Sequence, residues 1–155
     1  MLNLGFKNYL HKGIVFEDTD VFLKWGSCIN LLIKKNGGTK EVLGDSIMYD
    51  WGSRIILNGL EVNLSSSISK YGFDRWFSRF NKVEYWAIGD KIAKEEFNRI
   101  SNHLIQFLGD PIDKDEQMDS DEIYFTWRIG KVCVSLYLFE QHCYKFHFLI
   151  KKNIF

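Results

Sequence analysis

Seven carboxylates crowd one short stretch of the chain, Asp110, Asp113, Asp115, Glu116, Asp119, Asp121 and Glu122, relieved only by Lys114. Clustered acids either chelate a hard cation or present negative charge to a basic partner. A calcium loop of the helix-loop-helix kind needs glycine at its sixth position and an acid at its twelfth. Counted from Asp113, those places hold Met118 and Tyr124. Chelation therefore fails, and the segment reads as a solvated loop whose functional meaning is an acidic arm for a basic protein.

Other candidate chemistry thins out quickly. Cys28 stands where a helix begins, and a helix dipole can lower a thiol pKa, but no histidine lies near it in sequence and a small packed residue is the simpler reading. His11, His103, His142 and His147 show no metal-ligand spacing with Cys28, Cys133 and Cys143. His142 and Cys143 are adjacent and fall on opposite sides of a strand. The glycines of Asn36-Gly37-Gly38-Thr39-Lys40 follow a helix and do not precede one, which makes them a C-cap and turn and not a phosphate cradle. No catalytic constellation, metal site or cofactor motif is expected, and the chain reads as a non-enzyme.

The richest candidate surface is a strand face. The segments Ile123 to Ile129, Val132 to Phe139 and Cys143 to Ile150 alternate with a two-residue period and are heavy in aromatic and β-branched side chains, the signature of an antiparallel meander. One face carries Ile123, Phe125, Trp127, Val132, Val134, Leu136, Leu138, Tyr144, Phe146, Phe148 and Ile150 and belongs to the core. The opposite face carries Tyr124, Thr126, Arg128, Lys131, Cys133, Ser135, Tyr137, Phe139, Cys143, Lys145, His147 and Leu149. Tyr and Arg combine large contact area with hydrogen bonding, so they concentrate energy at interfaces. The expected binding site is Tyr124, Arg128, Tyr137 and His147, with Asp113, Asp115 and Asp119 of the acidic loop beside them. The competing reading is a solvated sheet face whose aromatics support cross-strand pairs.

A helix must back this meander. Ala93, Phe97, Ile100, Leu104, Phe107 and Leu108 recur at helical spacing, with Asp90 as expected N-cap, Gly109 at the C-terminus and Pro111 beyond. In the first half, Val21 to Trp25 reads as a strand and Cys28 to Lys35 as a helix with Ile29, Leu32 and Ile33 buried. Ile47 to Trp51 reads as a strand, Gly52 and Ser53 as a turn into Arg54 to Leu57, and Asn58-Gly59 as a hairpin before Leu60 to Leu64. Phe73, Trp76, Phe77 and Phe80 suit a short helix within Ser65 to Arg79, and Val83 to Ile88 a strand. Met1 to His11 is left open between a strand and a helical turn. A hairpin turning near Glu140 and Gln141 would set Leu138 opposite Cys143 and Cys133 opposite Phe148, too far apart for Cys133 and Cys143 to bridge.

The two halves share an order of parts: helix, then Leu43-Gly44-Asp45 and a strand ending on Trp51 and Gly52; helix, then Leu108-Gly109-Asp110 and a strand ending on Trp127 and Gly130. The expected fold is α+β, a mostly antiparallel sheet built from two helix-plus-meander units (21–88 and 90–151) within a single domain, 1–155, with the helices on one face. Through Leu108, Gly109, Asp110, Pro111, Trp127 and Gly130 the chain resembles the module of the small outer-membrane assembly lipoproteins, the tandem β-lactamase inhibitory proteins and small bacterial immunity proteins. That resemblance implies a non-enzymatic, toxin-neutralising protein. Its first residues do not read as a signal peptide or carry an early lipidation cysteine, so the envelope role of the lipoproteins is not expected of it.

Composition narrows the partners. Lys plus Arg and Asp plus Glu both number 20, aromatic residues make up 16% of the 155, and proline occurs once. The expectation is an ordered fold without a disordered linker and without a field that draws it to nucleic acid or to a membrane. An odd count of cysteines, with no CxxC, fits free thiols in a cytoplasmic protein. The leading expectation is a protein-binding module of immunity or inhibitor type with a basic toxin as partner. A second is a small-molecule or peptide sensor with a pocket between helix and sheet, walled by residues such as Phe97 or Trp86. A third, ranked below both, is an RNA binder stacking bases on Tyr124, Tyr137 and Phe139.

Overall fold

A computed structural model describes residues 9–71, 78–117 and 122–153. The elements run β1 (Gly13–Phe16), β2 (Val21–Lys24), α1 (Ile29–Lys35), β3 (Thr39–Leu43), β4 (Ser46–Ile56), β5 (Leu60–Ser69), β6 (Lys82–Ile88), α2 (Asp90–Leu108), β7 (Asp113–Gln117), β8 (Glu122–Ile129), β9 (Val132–Gln141) and β10 (Cys143–Lys152). The fold is α+β with a mostly antiparallel sheet. Strands β3 to β10 form an eight-stranded sheet in the order β3-β4-β5-β6-β10-β9-β8-β7, and β1 with β2 makes a separate hairpin.

Both helices lie on one side of the large sheet. The α2 stripe of Ala93, Phe97, Ile100, Leu104 and Phe107 is buried, and Phe97 packs its ring against Phe125 and Phe146. In the first half, the Tyr49 hydroxyl donates to Asn30 Oδ1 of α1, and Trp51 packs edge-on against Phe16 of β1 and against Phe80. Cross-strand partners point to the same side, so the register carries this core face across from Tyr49 and Ser66 to Val83, Ile150 and Val134. No helix is long and apolar enough to cross a membrane among the described residues. The three cysteines are free thiols.

Several expectations are corrected. The acidic segment is not all loop: Asp113–Gln117 is an edge strand paired with β8, so the C-terminal meander has four strands. Gly52 and Ser53 do not turn the chain. They sit in a bulge of continuous β4, where the register shifts between Asp50 and Gly52 and the Asp50 side chain accepts the Gly52 N–H at 2.8 Å. Gly52, at φ +74°, absorbs the extra residue that a side chain would resist. Strand β5 runs past the expected Leu64 to Ser69; of the aromatic residues expected on a short helix after it, Phe73, Trp76 and Phe77 lie outside the described residues, and Phe80 is buried, stacked on Trp25.

The turn between β9 and β10 falls at His142, φ +65°, so Leu138 faces Phe146 and Cys133 faces Lys151. That register sets the apolar residues of both strands on one side, which the expected one would not. Asp90 does not cap its helix. Gly89 precedes α2, and the Asp90 carboxylate instead accepts the backbone N–H of Tyr144 at 2.8 Å, tying the helix start to β10. The two Leu-Gly-Asp runs also differ in place: Gly44 turns β3 into β4, whereas Gly109 ends α2 and its carbonyl accepts the Trp127 indole N–H at 2.8 Å.

Candidate functional site

The face of the sheet turned away from both helices carries the candidate site. Its central row is a set of cross-strand partners spanning five strands: Asp115 on β7, Tyr124 on β8, Tyr137 on β9, His147 on β10 and Trp86 on β6. Four of the seven expected site residues, Asp115, Tyr124, Tyr137 and His147, therefore stand in one line. The rings touch along it. Tyr124 meets Tyr137 edge-on at 5.9 Å, Tyr137 stacks on Phe139 at 4.6 Å, Phe139 meets Trp86 edge-on at 6.4 Å, and Trp86 lies flat on His147 at 3.9 Å. Trp86 is 43% exposed and its strand neighbour on this face, Ile88, 62%.

The other expected residues are spread around this row. Asp113 is one row along, opposite Thr126, on the same edge strand as Asp115. Arg128 is two rows away, aligned with Cys133, Lys151 and Lys82, and makes no part of the aromatic line. Asp119 lies outside the described residues. Burial pushes the Cys133 thiol up, against the pull of Arg128 and Lys151.

Beneath the aromatics sits a polar group that the sequence reading missed. Glu84 is only 6% exposed, yet it faces the open side of β6. Burial alone would raise its carboxyl pKa, but three donors reverse that. His147 Nε2 lies 2.9 Å from one carboxylate oxygen, the Ser67 hydroxyl donates to the other at 2.7 Å, and the Lys82 ammonium is 3.9 Å away. Together they hold the carboxyl down at about 2. An ionised carboxylate can only accept, so Nε2 of His147 must carry the proton, which fixes the ring that Trp86 covers. At the far end, desolvation and the neighbouring Glu122 carboxylate, 3.2 Å from its hydroxyl, push the Tyr137 phenol up and keep it neutral.

The sensor reading expects Trp86 between the layers, as a pocket wall, whereas its register opposite His147 puts it on the open face. Val83, Tyr85 and Ala87 take the core side of β6, so Glu84, Trp86 and Ile88 must take the other. The alternation was readable in the sequence, and the signal lay in the large apolar residues on both sides of a single strand. Phe97 does lie between the layers, but the aromatic rings of Phe125 and Phe146 fill the space beside it. Among the described residues no three His, Cys, Asp or Glu side chains gather as metal ligands. No family model, characterised protein or solved structure matches the chain.

Proposed function

We propose that this protein is a non-enzymatic, cytoplasmic binding module of the bacterial immunity or inhibitor kind, and that its open sheet face holds a basic protein partner. The observation that carries the reading is the line from Asp115 through Tyr124, Tyr137 and His147 to Trp86. Half-buried aromatic rings already locked against one another lose little freedom on binding, and an exposed indole beside Ile88 offers apolar area of the kind interface anchors supply. The rim next to them is acidic, with Asp113 and Asp115 exposed on the edge strand and Glu122 beside Tyr137. Carboxylates at a rim steer a basic partner toward the anchors.

The same reading treats the fold as two related units, α1 with β3 to β6 and α2 with β7 to β10, each closing on the strand that meets the other at the β6–β10 ladder. Trp51 and Trp127 hold the same place, inward on the second strand of each meander. Such a tandem unit, resembling the inhibitory and immunity modules, widens the uncovered face to eight strands.

The test begins with the genes beside this one, where the reading expects a toxin domain of basic character. With that domain as the probe, Trp86→Ala and Tyr137→Ala should each speed dissociation and cost about 2 kcal/mol or more, while melting stays near that of the parent. Reversing Asp113 and Asp115 to Lys should slow association and flatten its salt dependence, leaving dissociation nearly unchanged. Binding that survives both sets of changes would remove the site from this face.

A further inference from the structure

β5 is ten residues long and β6 seven, yet they share a single ladder pair, Ser65 with Glu84. Where that ladder ends, on the same open side of the sheet, a cavity of about 300 Å³ lies between the strands. Three cations line it, Arg79, Lys82 and Lys151, together with the hydroxyls of Ser46 and Ser69 and the amide of Asn81; no carboxylate does, among the described residues. Lys82 and Lys151 are cross-strand partners on β6 and β10, so their stems leave the sheet side by side.

We infer that this cavity binds the phosphate group of a small phosphorylated molecule. Two like charges held next to each other are unfavourable unless an anion joins them, and the nearest acid does not fully answer both. Glu84 lies 3.9 Å from the Lys82 ammonium, but its oxygens already accept from His147 and Ser67. Lys151 makes no salt bridge among the described residues. Arg79 also lines the cavity, with its guanidinium donating to the Gly26 carbonyl at 2.7 Å. The Ser69 oxygen accepts the Tyr71 N–H at 3.2 Å, which leaves its own proton to donate.

A phosphate dianion, with three acceptor oxygens, suits this set of cations and hydroxyls better than a lone carboxylate would. The volume, at the lower end of the roughly 300–1,000 Å³ range of small-molecule sites, admits a phosphate together with a small group attached to it. Room for the rest of the molecule lies next door. A second cavity, about 550 Å³, shares Arg79 and Asn81 with the first and adds Lys131, Lys152 and the indole of Trp25.

Amide chemical shifts read during titration with inorganic phosphate, at constant ionic strength set by chloride, test the assignment. Saturable shifts at Ser69, Lys82 and Lys151 are expected, with phenyl phosphate binding more tightly and also moving Lys152 and Asn153. Lys151→Gln should weaken inorganic phosphate about tenfold and Ser46→Ala about fivefold, whereas Lys24→Gln, on the small hairpin, changes nothing. Shifts that stay linear, saturation that Lys151→Gln leaves untouched in a variant of parental melting temperature, or exclusion of phenyl phosphate would each overturn it. The aromatic row is not part of this cavity, so loss of phosphate binding says nothing against the protein-binding face, nor the reverse.

Discussion

The carboxyl of Glu84 is the residue on which the open face turns. A buried acid without partners would take up a proton, whereas this one is held ionised by His147, Ser67 and Lys82. Its folded pKa, about 2, lies below the ordinary 4.5, so the unfolded chain binds the proton first as pH falls. The stability it contributes is therefore fully present above about pH 5 and drains away as the pH drops toward 2, to a total on the order of 3 kcal/mol. Denaturant melts between pH 7 and pH 2 read this directly. Glu84→Gln, which keeps an acceptor for His147 but cannot titrate, should flatten that part of the profile. A variant that loses stability over the same window to the same extent as the parent would place the acid sensitivity elsewhere. Sequence alone could not have singled out Glu84, because its environment is supplied by Ser67 from β5 and His147 from β10, one 17 and the other 63 residues away. Tyr124, Tyr137 and His147 were readable, since strict alternation fixed their side of the sheet before any register was known.

At the scale of elements, the periodic segments were legible and the irregular ones were not. The helical stripe from Ala93 to Phe107 and the alternation of β8, β9 and β10 declare themselves, because each repeats one period for two turns or more. Edge strand β7 reads as loop in the sequence because Asp-Lys-Asp-Glu-Gln has no apolar side; charge is how an exposed edge avoids pairing with other chains. The end of α2 joins both kinds of information. Gly109 takes φ +87°, ψ −168°, a region essentially closed to other residues, and its carbonyl receives the Trp127 indole. Gly109→Ala should cost about 1–3 kcal/mol in a urea melt through backbone strain alone. Trp127→Ala should cost about 3–5 kcal/mol, because a buried indole leaves a void its neighbours cannot fill. Since both act at one contact, the double variant should lose less than the sum, and strict additivity would show that the Gly109–Trp127 link is incidental.

Over the whole molecule the sheet is continuous in order but uneven in strength. β10 is bound on both sides by long ladders, seven pairs to β6 and ten to β9, whereas β5 meets β6 at one. What joins β5 to β6 there is a set of serine side chains. Ser65 donates to the Glu84 carbonyl at 3.4 Å and Ser67 to its carboxylate, while Ser66 accepts the Trp51 indole N–H at 2.9 Å and donates to the Lys82 carbonyl at 2.6 Å. Ser66 is buried among core residues, so removing its hydroxyl strands two groups, an indole N–H and a carbonyl, away from water. Ser66→Ala should cost about 1–3 kcal/mol, and the loss should be uneven across the molecule. In native-state hydrogen exchange, the amides of β3 to β5 should open at lower free energy than those of β6, β9 and β10, and the variant should widen that gap. The seam is where partial unfolding begins if β3 to β5 detach from the rest of the sheet, since few backbone bonds need to break. Equal protection on both sides of the seam, lowered equally by Ser66→Ala, would mean instead that the shared core from Trp51 to Phe148 binds the sheet into one cooperative body and that the serine seam is no weaker than the ladders beside it.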